Sequence, residues 1–321
     1  VDGSHIDVDR HQPARCYLIN IGVSVLTYGS RPDATLSNQP RLYARDEELV
    51  MRDRSISFRE QAVQGTILGA KRTVEEIRAL IQAVRELPAH TPTLALMDGT
   101  LVMLDLAGHG HQDFVLRQLI EEGFVDALDE LKQIASERPL ALASYISLPR
   151  AAEVMGAIRL EACPYETADC SRYCGEAAVG QRPCDDSAQG LLDRDVFRGI
   201  LKPGERSGLF GSASPLVKKY YGDEQRVCFF YVHTGEEIGR VEVPYWVAEN
   251  ETLLGLAHSL VVDQCRRGPG YPVALMEAHE QAVVTGADRQ SFAQLVEGVL
   301  YDQCVPVNWS EKSRSKRIRW V

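Results

Sequence analysis

The chain has 321 residues, of which 45% are hydrophobic and 25% are charged, and its formal net charge is −10. This length is enough to bury a substantial core, as one large domain or as two closely associated ones. The negative charge excludes a protein coated with basic surface. It does not exclude nucleic acid binding, because the charge of bound metal ions offsets acids gathered around them.

The cellular compartment can be inferred from targeting signals and from the cysteine content. No apolar run reaches the roughly 18 residues of a membrane span, and no signal peptide is recognisable, so we expect a cytoplasmic protein with no membrane segment. Eight cysteines without a secretory signal favour a reducing compartment. Because an acid of interest is already the second residue, we expect that the natural chain begins earlier and that part of the first strand is missing.

Two short acid-containing motifs organise the chain. Residues 92–104 form an apolar run that predicts a buried strand, which ends at Asp98 and is followed by Gly99 and Thr100. The chain opens with the similar V-D-G-S, which contains Asp2. A carboxylate at the end of a buried strand is costly unless a cation lies beside it. The pair therefore suggests a shared metal site, although each motif alone is also typical of a simple turn.

The helix predicted over residues 57–87 carries two adjacent acids, Glu75 and Glu76. Glu76 falls in line with Leu80 and Leu87 at helical spacing, beside the apolar stripe. Glu75 falls on the wetter side of the helix. We therefore predict that Glu76 points inward, the alternative being a solvated helix acid.

The remaining elements alternate between strands and helices. We predict strands at 16–28, 140–148, 227–232 and 240–246, helices at 112–137, 151–160, 252–266 and 273–284, and loop or short edge strands at 30–48. This alternation is typical of an α/β fold with a sheet covered by helices.

Half of the cysteines lie close together in a polar, glycine-containing segment, with the spacing C-x6-C-x3-C-x9-C: Cys163, Cys170, Cys174 and Cys184. Four thiols in such a segment suit tetrahedral zinc or an iron–sulfur cluster, although the spacing matches neither a zinc ribbon nor a ferredoxin. The alternative is four unpaired thiols. If metal binds, we expect a structural role.

Two basic features are candidate phosphate contacts. The loop K-P-G-E-R-S-G places Arg206 and Ser207 among glycines. The chain ends in K-S-R-S-K-R-I-R-W-V, whose candidate DNA-binding residues are Lys312, Arg314, Lys316 and Arg317. A solvated chain end is the alternative for the tail.

The ordered set of V-D-G-S, L-M-D-G-T-L and the late G-Y-P-V-A-L-M-E-A-H-E-Q-A-V with its following D-R resembles the NurA nuclease family over essentially the whole chain. The resemblance implies a fold with an RNase H-like mixed sheet flanked by helices, here with a cysteine-rich insertion. It also implies one domain over 1–321, with the core at about 1–160 and 195–305, the insertion at about 161–190 and the tail at 311–321.

The resemblance also implies an activity. It predicts a manganese-dependent deoxyribonuclease, a 5'–3' exonuclease with single-strand endonuclease activity, which acts in the resection of DNA double-strand breaks with a hexameric HerA-type ATPase. The chain contains no G-x-x-x-x-G-K-[ST] motif, so we expect a separate motor. We also expect a homodimer.

Carried over residue by residue, the resemblance makes carboxylate metal ligands of Asp2, Asp98 and Asp288, with Glu76 as the helix acid. Tyr271 and His279 match the family's tyrosine and late histidine. We expect two Mn²⁺ or Mg²⁺ ions, with His279 as a ligand or as the group that orients the attacking water. The interval from His279 to Asp288 is shorter than in the archaeal pattern, which weakens the match at Asp288.

Two other functions compete with this one. The first is a non-catalytic α/β DNA-binding or scaffold protein whose acids only cap strands and helices. The second is a nuclease with the same core that cuts RNA or DNA junctions.

Overall fold

The computed structural model describes residues 1–7, 15–56, 58–108, 110–178, 180–185 and 190–303. The chain divides into two compact units. The first unit comprises Val1–Pro88, Met103–Gln133 and Ala274–Val321, and the second comprises Ala89–Val102 and Ile134–Val273. Within the described residues, no helix is both long enough and apolar enough to cross a bilayer.

The elements are numbered along the chain. Strands β1 to β10 span Asp2–Ile6, Tyr17–Thr27, Asp33–Tyr43, Val50–Arg52, Glu60–Ala62, Thr93–Asp98, Leu140–Ile146, Phe210–Gly211, Val227–His233 and Ile238–Pro244. Helices α1 to α12 span Asp46–Leu49, Thr66–Glu86, Asp113–Leu116, Asp126–Glu137, Glu153–Glu161, Cys170–Cys174, Asp193–Ile200, Pro215–Tyr220, Tyr245–Ala248, Glu251–Arg267, Val273–Ala282 and Gly286–Asp302. A short 3₁₀ turn covers Leu104–Leu106, and π-helical turns over Arg117–Val125 join α3 to α4.

In the first unit, β1, β2 and β3 form an antiparallel sheet in that order. Strand β2 is rich in β-branched and aromatic residues, and α2 packs against β1 and β2. Alternate β2 side chains, among them Tyr17, Ile19 and Ile21, are buried. The apolar stripe of α2 therefore packs against one face of this sheet, and together they form a core of this unit.

In the second unit, five strands form a mixed sheet in the order β6-β7-β10-β9-β8. Strands β6 and β7 are parallel, and the other pairs are antiparallel. Every residue of β10 is buried, and β7 and β9 are buried except at their last residues. Helix α10 packs against β6 and β7. Strands that are covered on both faces typically have near-continuous apolar sequences, as β7 and β9 do.

The prediction of an α/β fold with a mixed sheet flanked by helices is confirmed. Strand β6 ends at Asp98, as predicted, because Gly99 turns the chain with a positive φ of 86°. Two boundaries differ from the predictions. Helix α2 begins only at Thr66, after strand β5. Residues predicted as loop or short edge strands form the 11-residue strand β3.

Candidate functional site

Asp2, the first residue of β1, contacts a histidine of α11. Its Oδ2 lies 2.7 Å from Nδ1 of His279, and its Oδ1 accepts the Gly3 amide at 2.7 Å. The Asp2 side chain is 16% exposed and the His279 side chain is 60% exposed, so the imidazole is open to solvent. The sequence placed these residues 277 positions apart, and the fold brings them into contact.

The end of α11 is attached to β1 and β2 by side-chain hydrogen bonds. Ser4 donates its hydroxyl to the Ala282 carbonyl, and Asn20 Nδ2 donates to the carbonyls of Gln281 and Ala282 at 2.9 and 3.0 Å. Gly22 of β2 leaves no room for a Cβ atom, since the backbone of α11 lies against it. These last carbonyls of a helix lack intrahelical partners, so the bonds both satisfy them and hold His279 opposite Asp2.

Glu76 of α2 points inward, as predicted. It is 5% exposed, and its Oε1 lies 2.9 Å from Nε of Arg72. A Cβ atom on Gly3 would lie less than 3.0 Å from that same oxygen, so only glycine at this position lets the carboxylate rest against β1. Glu75 instead faces Arg78 at 3.1 Å on the wetter side of the helix.

In the second unit, Asp98 at the end of β6 accepts a hydrogen bond from a phenol. The Tyr271 hydroxyl donates to Asp98 Oδ1 at 2.7 Å. The Tyr271 ring packs edge to face against Tyr145, with the ring centroids 5.5 Å apart. The Tyr145 hydroxyl in turn donates to Glu237 at 2.8 Å. Burial, with the negative charges around it, raises the pKa of Tyr145, so this phenol remains a donor at neutral pH.

Asp288 lies in the capping box that begins α12. Its amide donates to the Thr285 hydroxyl at 3.1 Å, and its carboxylate accepts the Thr285 hydroxyl and amide at 2.7 and 2.9 Å. These two bonds lower the pKa of Asp288. A capping role accounts for this position without a metal.

Arg206 and Ser207 are engaged with their own unit. Arg206 donates to the Ser207 carbonyl at 3.0 Å, and its guanidinium lies 5.4 Å from the centroid of the Phe230 ring. The buried Ser207 hydroxyl donates to the Gly208 carbonyl and accepts the Tyr231 amide. The predicted tail residues Lys312, Arg314, Lys316 and Arg317 lie outside the described residues.

The four clustered cysteines affect one another electrostatically. Burial raises the pKa of Cys174, and the thiols of Cys170, Cys184 and Cys163 raise it further. Cys184 Sγ also lies 3.6 Å from Nη2 of Arg159. In the part of the chain that the structure describes, however, no three His, Cys, Asp or Glu side chains stand together as a ligand set for a metal ion.

The chemistry of the acids suits a hard divalent cation, since carboxylate oxygens with one imidazole are donors that Mn²⁺ and Mg²⁺ accept. Within the first unit, Asp2 contacts His279 and Glu76 pairs with Arg72. The donor types therefore fit the implied ions, while the ligand geometry is not assembled among the described residues.

Sequence reasoning did not single out Arg240 and Glu242 of β10. Both are almost completely buried, at 4% and 2% exposure, and they form an ion pair at 2.8 Å. The signal was available: two opposite charges, two residues apart, share one face of a strand that is otherwise apolar.

Comparison with known proteins agrees with these features. The model of the NurA domain family matches residues 1–284. The fold is similar to the crystal structure of the NurA nuclease from Sulfolobus solfataricus, with a TM-score of 0.51 and 13% identity, over 94% of this chain and 84% of that one. No curated protein sequence matches. Because the family model covers most of the chain, the protein belongs to the NurA family.

Proposed function

We propose that this protein is a metal-dependent nuclease that hydrolyses DNA phosphodiester bonds. Membership of the NurA family and similarity to a structure described as a nuclease support the activity. The observation that carries the proposal is the Asp2–His279 contact of 2.7 Å, between an acid on the first strand and a solvent-exposed imidazole on α11. A carboxylate and an open imidazole in contact are groups that metal-assisted hydrolysis uses.

In this proposal Asp2 and Glu76 of the first unit and Asp98 of the second unit each supply carboxylate oxygens to Mn²⁺ or Mg²⁺, of which we expect two ions. When bound, such ions generate a nucleophilic hydroxide and stabilise the leaving oxygen. Asp288 is the weakest of the proposed ligands, since the capping box of α12 already uses its carboxylate.

His279 and Tyr271 act through their hydrogen bonds. With the proton on Nδ1, the imidazole donates to Asp2 and leaves the Nε2 lone pair to accept a proton from the attacking water. The Tyr271 hydroxyl orients the Asp98 carboxylate by donating to one of its oxygens. Both roles need only groups that the chain itself provides.

The biological setting follows from the family resemblance. We propose that the protein digests DNA ends with 5'–3' polarity during double-strand break resection, as a homodimer in the cytoplasm, alongside a HerA-type hexameric ATPase. Arg206 and the basic residues of the tail are proposed contacts to the DNA backbone.

A second metal is proposed for the cysteine segment. Burial, and then the neighbouring thiols, raise the pKa of Cys174, and zinc or an iron–sulfur cluster bound by Cys163, Cys170, Cys174 and Cys184 would hold the four sulfurs as thiolates. We expect metal analysis after mild EDTA treatment to find about one Zn or one cluster per chain. Rapid reaction of all four thiols in protein that contains neither metal would exclude the site.

The nuclease proposal is tested by metal titration. Purified protein is incubated with end-labelled single-stranded DNA, and with RNA of the same sequence, over a range of Mn²⁺ and Mg²⁺ concentrations. We expect cleavage of DNA only with metal, and Asp98→Asn should lower the rate by roughly two orders of magnitude or more, because Asn is nearly isosteric but carries no charge.

The alternatives give different results. Binding of DNA without cleavage at any metal concentration would favour the non-catalytic protein. Faster cleavage of RNA would favour the RNase H-like alternative. Near-normal cleavage by Asp98→Asn would contradict the site assignment even if the wild-type protein is a nuclease.

A further inference from the structure

A buried ion pair lies in the middle of the second unit's sheet. Arg240 and Glu242 are 4% and 2% exposed, and Nε of Arg240 donates to Oε1 of Glu242 at 2.8 Å. The guanidinium also lies 2.8 Å from Glu153 and 3.6 Å from the centroid of the Phe229 ring. An ion pair at such a position is seldom more stable than apolar residues of the same size. A reason other than stability is therefore required.

The second oxygen of Glu242 leads to the turn after Asp98. Oε2 accepts the hydroxyl of Thr100 at 2.7 Å and the amide of Leu101 at 2.9 Å. Both carboxylate oxygens of Glu242 thus have charged or hydrogen-bonding partners. Two of the three donors belong to the segment that follows Asp98 by two and three residues.

The Thr100 hydroxyl fixes the turn at two points. While it donates to Glu242, it also accepts the amide of Val102 at 3.0 Å. The Leu101 carbonyl accepts the hydroxyl of Tyr221 at 2.8 Å. The amide and carbonyl of Leu101 and the amide of Val102 are therefore all hydrogen-bonded to side chains of the same unit.

Asp98 itself lies between two fixed points. On its N-terminal side, β6 pairs with β7 up to Asp98 opposite Tyr145. On its C-terminal side, Gly99 has a φ of 86°, and its amide donates to the Tyr145 carbonyl at 3.0 Å. Immediately after Gly99, Glu242 holds Thr100 and Leu101, so the turn that follows Asp98 is fixed as well.

We propose that Glu242 is a positioning residue for the metal-ligating carboxylate of Asp98, acting through the Thr100 hydroxyl and the Leu101 amide, with Arg240 fixing Glu242. This inference rests on the proposed nuclease function. It assigns a purpose to the threonine of the D-G-T motif and to the buried ion pair. Partners of metal ligands are worth about 10- to 100-fold in metal affinity or activity.

The test uses Thr100, because its side chain can be changed without leaving a buried charge unpaired. Thr100→Val is nearly isosteric and removes the hydroxyl, whereas Thr100→Ser retains it. Thr93→Val is the matched control, since it removes a hydroxyl that donates to the Thr91 carbonyl at the other end of β6. Each variant is measured for its Tm in EDTA, the rise in Tm that Mn²⁺ produces, and the Mn²⁺ concentration that gives half-maximal cleavage.

We expect Thr100→Val to need about 10-fold more Mn²⁺ both for the Tm rise and for cleavage. Thr100→Ser should lie within about 3-fold of the wild-type protein, and Thr93→Val should match it. A purely structural role would lower the Tm in EDTA and leave the Mn²⁺ dependence unchanged. Glu242→Gln, if it folds, should resemble Thr100→Val.

Failure of this inference can be told apart from failure of the proposed function. If wild-type protein shows no Mn²⁺ response in Tm or cleavage, the nuclease proposal falls, and this inference with it. If the wild-type protein responds and Thr100→Val responds at the same Mn²⁺ concentration, this inference alone is overturned. A loss in Thr100→Ser as large as that in Thr100→Val would overturn it as well, because the hydroxyl would then not be the group that matters.

Discussion

Two acids of the first unit, Asp2 and Glu76, contact groups that carry or can carry a positive charge, whereas Asp98 of the second unit accepts a hydrogen bond from a neutral phenol. Glu76 lies 2.9 Å from the Arg72 guanidinium, and Asp2 lies 2.7 Å from the His279 imidazole. Asp98 accepts the Tyr271 hydroxyl at 2.7 Å. The two units therefore hold these acids in place by different physical means.

This difference has consequences for the metal-free protein. A cation beside a buried carboxylate offsets the cost of burying the charge, but it competes with any metal for the same oxygens. A phenol orients a carboxylate at lower electrostatic cost and leaves its full negative charge for a metal. We therefore expect the loss of an acid in the first unit to affect both stability and activity, and the loss of Asp98 to affect activity above all.

Among the variants that test this comparison, we expect Glu76→Gln to have the largest effect on cleavage and stability. It should lower DNA cleavage by about 100-fold or more and destabilise the protein by roughly 1–3 kcal/mol, since it leaves Arg72 without its charged partner. Glu75→Gln is the matched control, because its Arg78 contact lies on the wetter side of α2. Cleavage rates and urea unfolding give both quantities.

If Glu75→Gln were the inactive variant, the assignment of the helix acid would be wrong by one residue. Loss of activity in Glu76→Gln with no change in stability would break the comparison itself, since the Arg72 contact would then contribute nothing to folding.

Gly3→Ala should give an intermediate effect. The added methyl group would overlap the Glu76 carboxylate, so the acid or strand β1 must shift. We expect a loss of roughly 1–3 kcal/mol in the free energy of unfolding, and a fall in cleavage of about 10-fold, as for other displaced partners of a metal site.

Gly255→Ala is the control for this substitution. Gly255 lies within α10, and nothing lies within 4 Å of the position of an added Cβ. The protein should gain about 0.5–1 kcal/mol from the higher helix propensity of alanine. Equal stability of the Gly3→Ala variant and the wild-type protein would show that Glu76 does not depend on close contact with β1.

Asp288→Asn should give the smallest effect, and one that depends on pH. The pKa of Asp288 is lowered in the folded protein by the Thr285 hydroxyl and amide, so the ionised carboxylate stabilises α12 above its unfolded pKa. That contribution is lost as the pH falls through the lower, folded pKa. The Tm difference between wild-type protein and Asp288→Asn should therefore be present at pH 6 and shrink toward pH 3.

The Mn²⁺ dependence of the same variant decides its role. Asp288 has neutral partners in the capping box, and we expect the rise in Tm with Mn²⁺ to remain unchanged in Asp288→Asn, with Thr285→Ser behaving as wild type throughout. A smaller rise in Tm with Mn²⁺ would support Asp288 as a metal ligand. The first unit would then also contain a metal ligand whose hydrogen-bond partners are neutral.

Periodicity in the sequence determined the local features of this protein. The inward direction of Glu76 follows from its helical phase relative to Leu80, and α10 and α11 lie where the sequence predicted helices. The helical phase depends on neighbours three or four residues away, which the sequence displays directly. The ordered motifs likewise indicated the family that the comparison with known proteins established.

Strand β3 shows what only the tertiary structure decided about the fold. Most of its side chains are exposed, so it lacks the alternation of buried residues that reveals a strand. It forms because its backbone pairs with β2 from Tyr43 to Asp33. Backbone pairing of this kind carries no side-chain pattern.

The candidate site was decided at longer range. Tyr271 reaches Asp98 across 173 positions, and Glu242 reaches Thr100 across 142. These contacts arise where β7 lies between β6 and β10 in the sheet. The order of strands in a sheet depends on the packing of the whole unit, so the sequence supplied the reactive groups, and the packing of the strands decided which partners hold them.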